Sequence, residues 1–262
     1  MEHRRSAARR GVPAARHTLA ILRALAAQPG PVPAAVLARD LGLPRSTTYH
    51  LLGELTAAGF VVHLPEEHRY GLGVTAYEIG AAYMRQEPLA RLGRPVLARL
   101  VDRVGHTAHL AVLHGREVLY IVEERAPGRP PLVTDVGVRL PAHLTASGRA
   151  ILAALPVAQV HALFPDRAAF VDRHGTGPAS PTALRSLLRD VRRAGHATEH
   201  GDVTPGFASV GAAARDHSGH PVASVAVTYP SAAVDPGAHR WLIDQVAAGA
   251  NELTRRIGGR AG

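Results

Sequence analysis

Arg45, Ser46, Tyr49 and His50 are the residues of this 262-residue chain whose types and spacing point most directly to chemistry. Each carries a hydrogen-bonding side chain. On a helix of about 3.6 residues per turn they share one face, and Thr48, Leu51, Leu52 and Leu55 share the opposite, inward one. A cation, a hydroxyl, a phenol and an imidazole in one stripe suit the base edges and phosphates of a DNA major groove. A second group lies in Leu140-Pro141-Ala142-His143-Leu144-Thr145-Ala146-Ser147-Gly148. This is a loop running into a helix start, where unpaired N–H groups and the helix dipole can hold a carboxylate.

Catalytic arrangements fare worse. A serine-hydrolase elbow needs Gly two places before its serine, but Phe207 stands two places before Ser209 and a strand rather than a helix follows. His196 and His200 have the spacing of two metal ligands on a helix, yet they follow the helix-ending Gly195. With His106, His109, His217 and His220 they read as scattered surface or loop histidines. There is no Walker loop and no Gly-x-Gly-x-x-Gly. The sequence thus predicts no catalytic residue, no metal site and no cofactor.

The elements that hold the first stripe follow from local signals. Val36, Leu37 and Leu41 face one way on a short helix opening at Pro33, and Gly42 permits a tight turn. Pro44 then starts the second helix, where a missing N–H costs nothing. Gly59 closes that helix. Phe60 to Leu64, a turn at Pro65-Glu66-Glu67-His68, and Arg69 to Leu72 predict a hairpin, so the order is that of a winged helix-turn-helix. A supporting first helix is expected over His17 to Ala27, with Leu19, Leu22 and Ala26 inward. Thr75-Ala76-Tyr77-Glu78 has a capping-box pattern, placing a helix from Ala76 to about Gln86 with an apolar stripe of Ile79, Ala82 and Tyr83.

Further on, a helix is expected over Arg94 to Val104, and Thr107 to Leu113 and Val118 to Glu124 predict a hairpin. Leu132 to Val136 is read as a further strand. Helices follow at Thr145 to Leu155, Val157 to Phe164 and Thr182 to Ala194. Strands are expected at Ala197 to His200, Phe207 to Arg215 and Val222 to Tyr229, and a last helix at Ala238 to Ile257. Strands and helices mixed without strict alternation predict an α+β fold with an antiparallel sheet. The expected division is a disordered basic tail (1 to 16), a DNA-binding domain (17 to 74), a linker helix (75 to 92) and a larger domain (93 to 257).

Composition bounds the partners. The net charge is +9, all 30 basic residues are arginine, and 46% of residues are hydrophobic. Residues 1 to 50 carry eight arginines against Glu2 and Asp40, a local +6, which favours a polyanion. Without cysteine there are no disulfides and no thiolate chemistry. No apolar leader or membrane-length apolar run is present, so a soluble cytoplasmic protein with no membrane partner is expected.

Leu43-Pro44-Arg45-Ser46-Thr47-Thr48-Tyr49-His50-Leu51-Leu52, then Gly59-Phe60 and Arg69-Tyr70-Gly71-Leu72-Gly73, resemble the signature of the IclR family of bacterial transcription regulators. Leu140 to Ala150 and Ser209 to Ser224 are similar to that family's effector-binding domain, and the resemblance spans about residues 15 to 257. It implies a GAF-like or profilin-like second domain, and a homodimer or dimer of dimers joined through the linker helix on a near-palindromic operator of double-stranded DNA. The DNA contacts it implies are Arg45, Ser46, Thr47, Tyr49, His50 and Arg69. For a small-molecule effector, a small organic acid or aromatic metabolite, it implies backbone groups of Ala146 and Ser147. Polar contacts would come from Glu199, Ser209 and Thr228, and apolar walls from Leu132, Leu140 and Phe207. The alternative is a small-molecule sensor or hydrolase-like domain carrying a winged-helix interaction module.

The chain departs from the family where Glu199-His200-Gly201-Asp202 replaces a run of acids and Gly211-Ala212-Ala213 replaces Ala-Ala-Pro. His50 stands where Arg is common. An imidazole attracts phosphate less than a guanidinium does and gains charge only toward acid, so either weaker phosphate attraction here or operator affinity that rises as the pH falls from about 8 to about 6 is expected. Arg-like, flat binding across that range refutes this.

Overall fold

A computed structural model describes residues 12–86, 88–129 and 132–260. The chain divides into two compact units, one ending at Gln86 and one beginning at Glu87. In the first, the helices are α1 (Pro13–Ala26), α2 (Ala34–Leu41) and α3 (Arg45–Ala57), followed by α4 (Val74–Gln86). The strands are β1 (Val32–Pro33), β2 (Val61–Leu64) and β3 (Arg69–Leu72), paired antiparallel in the order β1-β3-β2. Gly42 ends α2 in the left-handed region (φ +64°), a conformation with no steric cost only for glycine, and this turns the chain into α3. Ile21 and Leu25 of α1, Leu37 of α2, Leu52 and Leu55 of α3 and Val61 of β2 form one apolar core.

Several boundaries differ from expectation. α1 begins at Pro13, inside the stretch expected to be disordered, because Pro at the first helical position needs no N–H partner; residues 1–11 lie outside the described residues. Its buried stripe is Ile21 and Leu25, whereas Leu19 is 60% exposed. Thr75 is no N-cap, since α4 already begins at Val74. The side chains of Ala82 and Tyr83 lie outside the described residues, while Ile79 is exposed, as are Val74 and Tyr77.

The second unit contains α5 (Pro88–Val104), β4 (Thr107–His114), β5 (Glu117–Glu124), β6 (Arg139–Pro141), α6 (Ala146–Ala154), α7 (Val157–Leu163) and α8 (Pro181–Ala194). It continues through β7 (Ala197–His200), β8 (Phe207–Arg215), β9 (Pro221–Pro230) and α9 (Pro236–Arg256). Six antiparallel strands run in the order β6-β5-β4-β9-β8-β7. One face carries α5 and α9: Gly93 lies on Leu110, and Gly249 lies among Val225, Leu100 and Val96. The other is covered by α6, α7 and α8 through Leu152, Val160, Phe164, Leu184 and Leu188. The α+β, antiparallel expectation holds. Two details do not. Pro95 sits inside α5 rather than opening a helix. Leu132 to Val136 is not a strand but a pair of turns, tied by Asp135 Oδ1 accepting from the Val136 N–H (2.6 Å) and by Gly137 at φ +87°; the edge strand is β6 instead, with Leu140 opposite Val118.

Candidate functional site

The first unit presents one polar face of α3. Thr48, Leu52 and Leu55 are buried, and the Thr48 hydroxyl donates to the Pro44 carbonyl (3.1 Å), so the inner face carries no free polar group. Arg45, Ser46, Tyr49 and His50 are exposed on the other side, with Thr47 at its border. Among the described residues Arg45, Ser46 and His50 make no side-chain hydrogen bond or ion pair. Pro44 caps α3 without a side-chain acceptor, which leaves the first-turn N–H groups for an outside anion. In the wing, His63 stacks on Tyr70 (4.5 Å), and exposed Arg69 donates to the Pro31 carbonyl (3.2 Å).

In the second unit the first turn of α6 lies against the sheet and roofs a small cavity, whose room for the centre of a water-sized sphere is about 20 Å3. Register explains its floor. Glu199 is opposite Ser209, and Ser209 is opposite Thr228, so these residues of β7, β8 and β9 form one row on one face of the sheet. Ser209 Oγ donates to Glu199 Oε1 (2.7 Å) and lies 2.9 Å from Thr228 Oγ1. The Asp202 N–H donates to Glu199 Oε2 (3.1 Å).

One step along the floor, at Gly211, a Cβ would lie 2.9 Å from the Ala146 carbonyl carbon and oxygen, so glycine alone lets the helix settle there. Gly211→Val is therefore expected to cost about 1–3 kcal/mol of stability by prising the α6 turn off β8. An unchanged denaturation midpoint would contradict this close approach.

Leu132, Ala146, Ser147, Glu199, Phe207, Ser209 and Thr228 all line the cavity. Leu140 does not. It is buried in the apolar cluster of Val118, Leu144 and Phe164, because its place on edge strand β6 turns it under α7. Several lining residues were not anticipated, among them His109, Tyr120, Thr134, Thr145 and Thr204. Burial pushes the Tyr120 phenol well above its usual range, with Ser147 and Thr145 acting in the opposite direction. Thr145 Oγ1 accepts from the Gly148 N–H (2.9 Å) and so caps α6.

His109 corrects the surface reading of the histidines: it is 1% exposed, and His106 is buried as well. Its Nε2 lies 2.7 Å from Thr134 Oγ1 and 3.6 Å from Glu123 Oε2. Burial holds the imidazole below its usual range. Glu123 is held below the carboxylate range by His109 and by Arg125, whose Nε donates to Oε1 (3.0 Å).

Arg149, to which the sequence assigned no role, holds the cavity together from behind. Buried on α6, it donates through Nε to the His143 carbonyl (2.8 Å) and through Nη1 to the Thr198 carbonyl (2.7 Å), and it pairs with Asp202. Asp202 in turn positions Glu199. The only advance signal was a lone Arg in a small-residue helix start, paired with an Asp in a loop remote in sequence.

Burial raises the Glu199 carboxyl above its ordinary range, partly offset by the bonds from Ser209 and the Asp202 N–H. A folded-state pKa above the unfolded one means that Glu199 favours folding at low pH, and that this contribution is lost as pH rises through the raised value. Unfolding of the full chain across the weakly acid range should therefore show a fall in stability that Glu199→Gln removes. Parallel curves for the two proteins would refute the assignment.

Among the described residues no group of three or more His, Asp or Glu is placed to hold a metal ion, and no helix is long and apolar enough to cross a membrane.

Residues 14–65 match the sequence model of the IclR helix-turn-helix domain, and residues 81–255 that of the bacterial transcriptional regulator IclR C-terminal domain. The transcriptional repressor IclR of Escherichia coli K12 is 27% identical over 243 residues, 92% of this chain and 88% of that protein. A putative IclR transcriptional regulator from Silicibacter sp. TM1040 superposes with a TM-score of 0.82 at 25% identity, covering 95% of this chain and 98% of that one. An IclR homologue from Microbacterium hydrocarbonoxydans, solved in complex with 4-hydroxybenzoate, shares the fold with a TM-score of 0.76 at 21% identity, over 93% of this chain and 98% of that one.

Proposed function

Since the chain belongs to the IclR family of bacterial transcription regulators, and so is a helix-turn-helix DNA-binding protein modulated by a small molecule, we propose the residues that divide this work. α3 enters a DNA major groove with Arg45, Ser46, Thr47, Tyr49 and His50 toward bases and phosphates, and Arg69 approaches the backbone from the wing. The observation that carries this is the outer face of α3, a row of exposed side chains on a helix whose first turn has no side-chain cap.

Two copies, or a dimer of dimers, place their recognition helices in successive grooves about 34 Å apart and read a near-palindromic operator. Exposed Val74, Tyr77 and Ile79 on α4 support a dimer contact there. The working division is a DNA-binding domain through residue 74, a linker over 75 to 92 that takes in α4 and the start of α5, and an effector-binding domain over 93 to 257, in a cytoplasmic protein. The cavity takes a small organic acid or aromatic metabolite. Ala146 and Ser147 offer backbone groups, Glu199, Ser209 and Thr228 polar contacts, and Leu132 and Phe207 apolar walls; a family fold that accommodates 4-hydroxybenzoate supports this reading. The effector changes operator affinity only as far as it prefers one arrangement of the dimer over another. A hydrolytic role finds no support at Ser209, whose hydroxyl donates to a buried carboxyl rather than to an imidazole base.

Selection of genomic DNA on the full-length protein tests the proposal: a motif with two-fold symmetry is expected, and enrichment of no defined motif would overturn it.

A further inference from the structure

The cavity wall has a lopsided set of charges. Among its described lining residues there is no arginine, Glu199 is the one acid, and His109 is the one side chain able to become positive. Arg149 stands near but is committed to Asp202 and two carbonyls. The α6 start supplies only about half a positive charge, and one of its N–H groups is already taken by Thr145. A carboxylate entering this space meets a buried acid and no permanent cation. An uncompensated charge of that kind is strongly disfavoured.

His109 is built to supply the missing charge. Glu123 Oε2, 3.6 Å from its Nε2, is buried and has no hydrogen-bond partner, so an acceptor for an imidazolium N–H stands beside the ring. The charged groups around the ring are Glu123 and Arg125 of β5 and Asp135 of the following loop. Tyr120 packs edge-on at 5.4 Å, and Thr134 reaches the same nitrogen. Burial disfavours the charged form of the free ring and holds its pKa below the usual range, against the opposing pull of Glu123.

We propose that the effector is an organic monocarboxylate taken up together with one proton from solvent, and that the proton forms the second N–H of His109, whose imidazolium then lies between the ligand carboxylate and Glu123. This rests on the cavity being the effector site, and it adds how the site selects an acid.

The test is calorimetric titration of the full-length protein in pairs of buffers with different ionisation heats, between about pH 6 and 8. The probes are 4-hydroxybenzoate, benzoate and short aliphatic monocarboxylates, each beside its primary amide. For the acids that bind, uptake of one proton is expected, with affinity falling about tenfold per pH unit; the amides should bind without uptake. His109→Gln should abolish the uptake and weaken binding of each acid roughly tenfold or more beyond any effect on its amide, whereas Glu199→Gln should retain the uptake. Acid binding by the wild type without proton uptake overturns the proposal and leaves the cavity reading intact. So does uptake that vanishes in Glu199→Gln and survives in His109→Gln. If no acid binds, the organic-acid reading and the proposal fall together.

Discussion

Operator affinity should drop by about 100-fold or more when Arg45 and Tyr49 are both replaced by alanine, since each base or phosphate contact from a recognition helix contributes roughly 1–3 kcal/mol. The fold should survive the change. Both side chains are exposed, on the side of α3 away from Thr48, Leu52 and Leu55, and surface substitutions of this kind usually shift stability by only about 0.5 kcal/mol. Separating the two replacements is informative. Loss of Arg45 from a phosphate should weaken all sequences alike and reduce the salt dependence, whereas loss of a base contact should relax preference at one position. Fluorescence anisotropy on the selected operator and on a scrambled duplex reads both effects. Wild-type affinity in the double variant would remove α3 from the interface.

Arg149→Ala should cost about 3–5 kcal/mol of unfolding free energy, the penalty of leaving a buried ionic partner uncompensated. The guanidinium is 4% exposed and serves three acceptors at once, the His143 and Thr198 carbonyls and the Asp202 carboxylate. Lysine cannot restore it, because one ammonium cannot reproduce a planar fork with donors in three directions. Arg149→Met combined with Asp202→Leu should cost less than Arg149→Ala alone, since the buried charges then leave together. Effector binding should weaken in both, because each removes the guanidinium that ties α6 to the His143 and Thr198 carbonyls beside the cavity. Denaturant unfolding of the full chain measures the first effect and calorimetry the second. An unshifted midpoint for Arg149→Ala would show that the pair is dispensable.

The DNA-facing half was legible because its signals are local. Pro44 at a helix entry, Gly42 at a turn, and the opposition of Thr48, Leu52 and Leu55 to Arg45, Ser46, Tyr49 and His50 all lie within a few helical turns, where backbone geometry alone decides which side chains share a face. The first helix was less so: its stripe was placed on Leu19, Leu22 and Ala26, and packing against Leu37 and Leu52 chose Ile21 and Leu25, with Leu22 at the edge of the cluster.

The cavity was legible only in part. Family resemblance pointed to residues seven of whose eight line it, but Leu140 packs in the core beneath α7. No local pattern could reveal His109 as a buried wall residue, since a histidine in an alternating strand reads the same whether its face meets solvent or a helix. Nor could any spacing join Arg149 to Asp202, 53 residues later, through the register of three strands.

What the chain determined by itself was the type and order of most of its elements and the two faces of α3, because propensity, capping and periodicity act over a few residues. Only the tertiary structure decided which polar side chains became buried neighbours. Register across β7, β8 and β9 and the seating of α6 on Gly211 bring together groups far apart in sequence, and burial then sets the charge each of them carries.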